Sequence, residues 1–321
     1  MSGTLPRVLL AGGTGYIGRV VAAELVERGY EVIAPVRSQS TPLPGCQMVV
    51  TDLSDRGRLH RELRSFKCTV VISCIASRTG APKDAWRVDH DINQNLLALA
   101  QLSDADQFVL LSAICVQKPR LAFQYAKLAF EQALMQSDLT YSIVRPTAYF
   151  RSLSGQINRV KDGKPFLVFG DGTRTACKPI AERDLAAYLV DCLKKSTLQN
   201  RVLPIGGPGP ALTARAQGEL LFELTGKPPQ FRSIPPSLFT AVAAMLRPIG
   251  WVVPAVARKA EFARIGHYYA TESMLLWDEV SRQYDAEATP STGTTTLRDH
   301  YQKVLTDGID GHEAAEHQLF Q

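Results

Sequence analysis

The sequence has 321 residues, of which 45% are hydrophobic and 21% charged, a balance typical of a globular protein with a sizeable core. Its formal net charge of +5 is modest and spread along the chain, and no motif supports nucleic-acid binding. The six cysteines are scattered along the chain, which predicts a protein of a reducing compartment. Neither they nor the six histidines have the spacing of metal ligands, so we predict no protein-bound metal. We expect His312 and His317 to lie in a frayed polar tail.

Strand and helix signals alternate through the first 150 residues, as they do in a parallel sheet with crossover helices. Between the last two of these strands lies a helix that bears a lysine discussed below. We therefore predict an α/β fold, a Rossmann-type doubly wound parallel sheet with a smaller C-terminal substrate-binding part. The strands are expected at residues 7–11, 31–36, 48–50, 69–75, 108–112 and 141–144.

A glycine-rich turn, GGTGYIG at residues 12–18, lies between the first strand and an amphipathic helix. Glycine lacks a Cβ, so the backbone can turn tightly and approach a pyrophosphate, while the helix N-terminus offers free N–H donors. A turn with only a structural role is the alternative, but its place between strand and helix favours dinucleotide binding. The predicted cofactor-binding residues here are Gly12, Thr14, Gly15, Tyr16, Ile17 and Gly18.

The end of the second strand predicts which dinucleotide is bound. NAD sites tend to place an acidic residue there, for the ribose 2′-hydroxyl. Here the strand runs into Arg37, and Arg19 directly follows the glycine turn. Two guanidinium groups suit a 2′-phosphate, so we predict NADPH, although each arginine alone is also compatible with a solvated loop.

Further cofactor contacts are predicted at the ends of later strands. Asp52 follows the third strand, where it accepts a hydrogen bond from the adenine amino group or caps a helix. Ser112 ends the fifth strand and is expected to face the nicotinamide. Pro146 and Thr147 follow the sixth strand, and their backbone groups are expected to meet the carboxamide.

Lys127 lies in the helical run FQYAKLAFEQAL. In short-chain dehydrogenases/reductases a tyrosine four residues before such a lysine protonates a substrate carbonyl, and here that position is Phe123. Tyr125, only two residues before Lys127, falls on a different side of the helix. Lys127 and Tyr125 are the candidate catalytic residues, with Lys127 also holding the nicotinamide ribose; an exposed helix lysine is the alternative.

The regular alternation ends near residue 146. The sequence DGKPFLVFGDGTRT predicts a hairpin or extended pair around residues 170–172. We predict an NADPH-binding domain over residues 1–150 and a mainly substrate-binding part over 151–321, with residues from about 176 to 206 returning to the first domain. Residues 234–256 are notably apolar. They are expected to form a packed helix or pocket wall, and the alternatives are a pocket lid or contact with a membrane surface.

Several longer runs resemble one enzyme family, the NADPH-dependent divinyl chlorophyllide 8-vinyl reductases, which are atypical short-chain dehydrogenases/reductases. The resemblance extends from about residue 7 to 301, and residues 77–80 also fit the family's SRTG segment. It implies a role in chlorophyll or bacteriochlorophyll biosynthesis for photosynthesis: reduction of the 8-vinyl group of a magnesium divinyl tetrapyrrole to ethyl. The runs are SAICVQKP, FQYAKLAFE, YSIVRPTAYF, DGKPFLVFGDG, CKPI, VLPIGGPG and IGHYYATESML.

This chemistry agrees with Phe123, because a vinyl group has no carbonyl oxygen to protonate. We expect a hydride to reach the terminal vinyl carbon and a proton to reach its neighbour. The proton source stays open among Ser112, Cys115, Tyr125, Tyr149 and water. The residues expected to wall the macrocycle are Phe123, Tyr149 and Phe150. The cations considered for its propionate are Arg145, Arg151 and Lys178.

Two other functions stay open from the sequence: an NmrA-type dinucleotide-binding regulator and a phenylpropanoid-type double-bond reductase. The N-terminus enters a strand within a few residues, which predicts a cytoplasmic protein, one that in addition lies peripheral to photosynthetic membranes if residues 234–256 contact lipid. The oligomeric state is not predicted.

Overall fold

The structure is a computed structural model that describes residues 6–38, 42–250 and 253–308. The chain divides into two compact units. Unit 1 contains the residues up to Arg145 together with Leu185–Leu203, and unit 2 contains Pro146–Asp184 and the residues from Pro204 onward. The expected tail histidines His312 and His317, and Trp251 and Val252 of the apolar segment, lie outside the described residues.

The part of the chain that the structure describes contains thirteen strands and twelve α-helices, numbered in chain order. The strands are β1 Arg7–Ala11, β2 Glu31–Val36, β3 Cys46–Val50, β4 Val70–Ser73, β5 Gln107–Leu111, β6 Thr140–Pro146, β7 Phe166–Phe169, β8 Ala176–Cys177, β9 Arg201–Ile205, β10 Leu212–Thr213, β11 Phe231–Ile234, β12 Leu276–Asp278 and β13 Gln283–Asp285. The helices are α1 Tyr16–Glu27, α2 Arg56–Leu63, α3 Pro82–Ala85, α4 Ile92–Leu102, α5 Ala122–Met135, α6 Phe150–Leu153, α7 Ile157–Lys161, α8 Glu182–Asp191, α9 Ala214–Thr225, α10 Ser237–Gly250, α11 Pro254–Thr271 and α12 Leu297–Asp307.

A seven-stranded sheet in the order β3-β2-β1-β4-β5-β6-β9 organises unit 1. The pairs from β3 to β6 are parallel, and Val8 of β1 lies between Val32 and Val70. Strands β1, β4 and β5 are buried on both faces, which explains their continuous apolar runs. The chain runs outward from β1 to β3 and then crosses to β4, on the other side of β1, so the predicted doubly wound α/β fold is confirmed. The turn after β1 thus lies where ligands bind such sheets.

The fourth strand ends earlier than the predicted range of 69–75. The amide of Cys74 still donates to the Ala11 carbonyl, 2.9 Å away, but the ladder stops at Ser73. Beyond that point the backbone of Cys74 lies against the glycine turn, where a Cβ on Gly12 would meet the Cys74 carbonyl carbon at 2.8 Å. The strand therefore ends where the chain must make room for the turn.

Unit 2 has its own core, built from helices and short strand pairs. The fully buried rings of Phe150 and Tyr301 are among its largest side chains. The predicted hairpin around residues 170–172 is wrong, because β7 pairs in parallel with the distant β11. Gly170 and Gly172 make a turn there with positive φ angles of 60° and 79°. The remaining pairs, β8 with β10 and β12 with β13, are antiparallel.

Helices α10 and α11 pack against each other in unit 2. Helix α10 leaves Leu238, Val242 and Met245 exposed by 51%, 37% and 73% at helical spacing. Across residues 6–38, 42–250 and 253–308, no helix combines the length and apolar character needed to span a bilayer. Within the same ranges no cluster of three or more histidine, cysteine, aspartate or glutamate side chains is suited to a metal ion.

Candidate functional site

The turn between β1 and α1 has a shape that only glycine allows. Gly12 has a φ of +81°, and a Cβ there would lie 2.8 Å from the Cys74 carbonyl. A Cβ on Gly18 would lie 2.0 Å from the Gly12 carbonyl oxygen, to which the Gly15 amide also donates at 2.9 Å. Because the N-cap of α1 is Gly15, no side chain caps the first amides of the helix. This arrangement fits a pyrophosphate and satisfies the requirements of a dinucleotide cradle.

The two predicted phosphate-binding arginines flank this turn in sequence. Arg37 is exposed directly after β2. Arg19, in the first turns of α1, is partly exposed and its Nε donates to the Thr14 carbonyl at 3.1 Å. This bond fastens the Arg19 side chain over the glycine turn. Their contact with a 2′-phosphate stays a prediction.

Asp52 accepts hydrogen bonds within the loop that precedes α2. Its Oδ1 accepts from the Ser54 hydroxyl at 2.7 Å and from the Ser54 amide at 2.9 Å, and these bonds lower the pKa of Asp52. The N-cap of α2 is Asp55, which accepts from the Arg58 amide at 2.9 Å. The helix-cap role considered for Asp52 therefore belongs to Asp55, and the adenine contact of Asp52 stays a prediction.

Lys127 is a buried cation. Only 8% of the residue is exposed, so the alternative of an exposed helix lysine is wrong. Its Nζ lies 2.9 Å from Oδ1 of Asp89, which is 2% exposed. Asp89 belongs to a π-helix, Trp86–Asp91, between α3 and α4. Asp89 was not predicted from the sequence. Its neighbours Val88 and His90 are only partly buried, so no local signal marked Asp89 as a buried acid.

The start of α5 is fixed by Gln124. Its Oε1 accepts from the amides of Arg120 and Leu121 at 2.7 and 2.9 Å, and its Nε2 donates to the Cys115 carbonyl at 3.0 Å. These bonds satisfy the amides that a helix start leaves unpaired, and they tie α5 to the segment after β5. They place Lys127 one turn further along.

Tyr125 lies on a different side of α5 from Lys127, as its spacing predicts. The residue is 50% exposed, and its hydroxyl donates to the Pro119 carbonyl at 3.1 Å. Phe123, four residues before Lys127, is partly buried. The structure does not bring Tyr125 together with Lys127, so its part in proton transfer stays a prediction.

Ser112 belongs to a second buried network. The network includes Glu131, which lies one turn along α5 from Lys127. The Ser112 hydroxyl donates to Oε1 of Glu131 at 2.5 Å, and Glu131 is fully buried. Arg145 donates to both oxygens of Glu131, through Nε to Oε1 at 3.2 Å and through Nη2 to Oε2. The charge of Arg145 is thus balanced within the protein, which argues against its use as a propionate anchor.

The remaining candidates lie in unit 2. The Thr147 amide donates to the Ile205 carbonyl at 3.0 Å, and its hydroxyl donates to the Lys178 carbonyl. Phe150 is 1% exposed and packs 5.2 Å from the His300 ring, so core packing accounts for it. Lys178 is buried and donates to the Thr289 carbonyl at 3.0 Å. The cofactor contacts of Pro146 and Thr147 and the substrate contacts of Phe123, Tyr149 and Phe150 stay predictions.

Comparison with known proteins agrees with this geometry. A family model described as NAD(P)H-binding matches residues 12–196, which confirms that the chain belongs to an NAD(P)H-binding family. The fold is similar to that of the Escherichia coli NADPH-dependent quinone oxidoreductase QOR2 in complex with NADPH, with a TM-score of 0.67 and 17% identity over 93% of this chain and 99% of that one.

Curated relatives are similar over nearly the whole chain. The Arabidopsis thaliana protein named divinyl chlorophyllide a 8-vinyl-reductase, chloroplastic, is 46% identical over 96% of this chain and 79% of its own length. The protein of the same name from Cucumis sativus is 46% identical over 98% of this chain and 79% of its own length. The Zea mays protein of that name is 45% identical, over 98% of this chain and 82% of its own length.

Proposed function

This chain belongs to the divinyl chlorophyllide a 8-vinyl-reductases, and from that membership we propose that it reduces the 8-vinyl group of a 3,8-divinyl chlorophyllide or protochlorophyllide to ethyl. It is an NAD(P)H-dependent oxidoreductase, and the proposed donor is NADPH. The observation that carries the proposal is identity of 44–46% with four relatives of that name over 96–98% of the chain.

The residues of unit 1 fit the proposed cofactor. The glycine turn and the open start of α1 suit the pyrophosphate, and Arg37 stands where an acid would disfavour the 2′-phosphate of NADPH. Bound there, NADPH would supply the hydride that the reduction needs. The protein contributes binding, orientation and exclusion of water around that transfer.

Lys127 and Phe123 together support reduction of a carbon–carbon double bond. Lys127 offers ammonium N–H donors from a buried position, suited to holding a ribose hydroxyl. Phe123 offers an apolar ring where a carbonyl-reducing relative would carry an acid. A vinyl group needs no acid at an oxygen atom, so the missing tyrosine hydroxyl does not prevent this reaction.

The test is turnover of the purified chain with NADPH and divinyl chlorophyllide. We expect one NADPH oxidised per pigment reduced, with the Soret band moving to shorter wavelength as the vinyl group leaves the conjugated system. Divinyl protochlorophyllide in a parallel assay identifies the preferred substrate. NADPH binding without pigment turnover would favour the NmrA-type regulator, and turnover of isoflavonoids alone would favour the phenylpropanoid-type reductase.

We also propose that α10 and α11 contact the surface of a photosynthetic membrane, where a hydrophobic pigment is available. The support is the exposed apolar row Leu238, Val242 and Met245 on α10, next to exposed Arg258 and Lys259 on α11. An apolar face bordered by cations is the pattern of helices that lie in the interface of an anionic bilayer.

A further inference from the structure

The pair of Lys127 and Asp89 is unusual because both charges are withdrawn from water. Nζ and Oδ1 are 2.9 Å apart, and the two side chains are 10% and 1% exposed. A buried ion pair gains little over an apolar pair of the same size, whereas removing one partner leaves an uncompensated charge. Such a pair therefore makes a weak case as a stabilising device, and because it lies in the same unit as the glycine turn, another role has to be considered.

Asp89 is itself held from two sides. The Ser77 amide approaches both carboxylate oxygens at 3.4 Å, and the Asp89 carbonyl accepts from Nδ2 of Asn93 at 2.9 Å. Oδ1 of Asn93 in turn accepts from the Ser73 hydroxyl at 2.5 Å. The side chains of Ser73, Asn93, Asp89 and Lys127 are all buried, so the position of Asp89 is fixed relative to the end of β4.

The same strand end borders the glycine turn. Ser73 is the last residue of β4, and the next residue, Cys74, lies against Gly12. A Cβ added to Gly12 would lie 2.8 Å from the Cys74 carbonyl carbon. A continuous set of contacts thus runs from the turn that fits the pyrophosphate, through Ser73 and Asn93, to Asp89 and Lys127.

The local backbone supports a functional reading. Asp89 lies in a six-residue π-helix, Trp86–Asp91, which α3 and α4 flank. A π-helical turn widens the helix and is frequently found at functional sites. Asp89, the buried residue of this π-helix, is the acid that pairs with Lys127.

We propose that Asp89 is the positioning residue for Lys127, a carboxylate that supplies the counter-charge of the ammonium and holds it in place so that it presents N–H donors to the cofactor ribose. The proposal rests on the proposed function through the role given to Lys127. It assigns to the pair a neutral total charge, so Lys127 acts as a fixed hydrogen-bond donor rather than as a source of positive potential. This agrees with Phe123 four residues before Lys127, because a phenylalanine has no hydroxyl that such a potential would acidify.

Other charged groups on the elements packed against α5 have partners of their own. These elements are α3, α4, the π-helix and the segment Ile114–Gln117. Helix α4 and that segment carry no charged residue, and Lys83 of α3 is exposed. The pairs are Arg87 with Asp84, His90 with Asp91 and Arg145 with Glu131. Asp89 is therefore the carboxylate that the described structure assigns to Lys127.

The test is the pH dependence of NADPH binding by the full chain, measured through NADPH fluorescence between about pH 7 and 9.5. Asp89→Asn keeps the shape and an acceptor oxygen but removes the charge. A buried ammonium without its counter-charge loses its proton at lower pH. We therefore expect this variant to bind NADPH nearly as well as the unmodified chain at the acid end and on the order of 10-fold more weakly at the alkaline end.

The matched control is Asp91→Asn, on the same π-helix but with a side chain that is 65% exposed. It should leave the pH profile unchanged. A second arm combines Asp89→Asn with Lys127→Met, in which Asp89→Asn should have no further effect on NADPH affinity if it acts only through Lys127. Circular dichroism and thermal melting check that each variant is folded.

An unchanged profile for Asp89→Asn, or a uniform loss of affinity at every pH, would overturn the proposal, since the second result is that of a purely structural acid. An equal effect of Asp89→Asn in the Lys127→Met background would overturn it as well. Failure of the unmodified chain to reduce divinyl pigment would remove the proposed function but would leave this binding measurement interpretable.

Discussion

Lys127 has two properties that a surface lysine lacks, namely burial and a carboxylate at 2.9 Å. If it holds the nicotinamide ribose, Lys127→Ala should slow NADPH-dependent pigment reduction on the order of 100-fold, because the cofactor loses its fixed orientation. The measurement compares the steady-state rate of Lys127→Ala with that of Lys303→Ala. Lys303 is an exposed lysine of α12 and makes the control. Turnover of Lys127→Ala at the unmodified rate would refute the assigned role.

Arg37 is the residue on which the predicted preference for NADPH over NADH depends most directly. Arg37→Asp should raise the KM for NADPH far more than the KM for NADH, because a carboxylate repels the 2′-phosphate and accepts from a 2′-hydroxyl. The measurement is the ratio of kcat/KM for the two cofactors. Arg64→Asp, at an exposed position of the same unit, makes the same change of charge elsewhere. The assignment fails if Arg37→Asp leaves the ratio where Arg64→Asp leaves it.

At the scale of elements, α5 shows how one helix serves two networks. Lys127 meets Asp89, and Glu131, four residues later on the same side, meets Ser112 and Arg145. Gln124 fixes the start of the helix by three hydrogen bonds. The exposed side of the helix carries Tyr125, which explains why a tyrosine near the lysine in sequence is not near it in space.

The proposed membrane contact can be tested on helix α10. Replacing Leu238 and Met245 by serine should reduce sedimentation of the chain with vesicles of phosphatidylglycerol and phosphatidylcholine several-fold, since apolar area available to the interface is lost. Val280→Ser is the matched control, because Val280 is 95% exposed but lies outside α10 and α11. Equal sedimentation of all three proteins, or binding to vesicles of phosphatidylcholine alone at the same level, would count against the proposed contact.

At the scale of the whole molecule, stability should depend on a partly buried histidine in unit 2. His300 lies against Phe150 and within 2.7 Å of the Ser154 hydroxyl, and burial lowers its pKa. A pKa lower in the folded state means that the neutral form is favoured there. The histidine therefore costs no stability above the unfolded value of about 6.5, and stability falls as the pH drops below it.

Thermal melting between about pH 7 and 5 tests this expectation. The melting temperature should fall by a few degrees across that range, since 1 kcal/mol corresponds to roughly 2–4 °C in a chain of 150–250 residues and to less in a longer one. His300→Gln keeps a polar group beside Ser154 and removes the titration, so its decline should be smaller. A decline as steep in His300→Gln as in the unmodified chain would assign the pH dependence to other groups.

Much of unit 1 was predictable because its signals are local. The apolar run of β1, the glycine turn and the amphipathic α1 are adjacent in sequence, so their order alone predicts the fold and the dinucleotide site. The absence of an acid after β2 and the displacement of the tyrosine to Tyr125 are likewise visible residue by residue. The failed hairpin at residues 170–172 shows the limit, because the partner of β7 lies in β11, more than sixty residues away.

The sequence by itself determined the fold class, the glycine cradle, the choice of candidate lysine and, through long similar runs, the family. The tertiary structure alone decided which charges meet: Lys127 with Asp89, and Glu131 with Ser112 and Arg145. The physical reason is that fold class and turn chemistry depend on neighbours along the chain, where spacing is readable. An ion pair between a π-helix and a helix some forty residues later depends on packing, which brings two charges together only when the sheet and its crossover helices have formed.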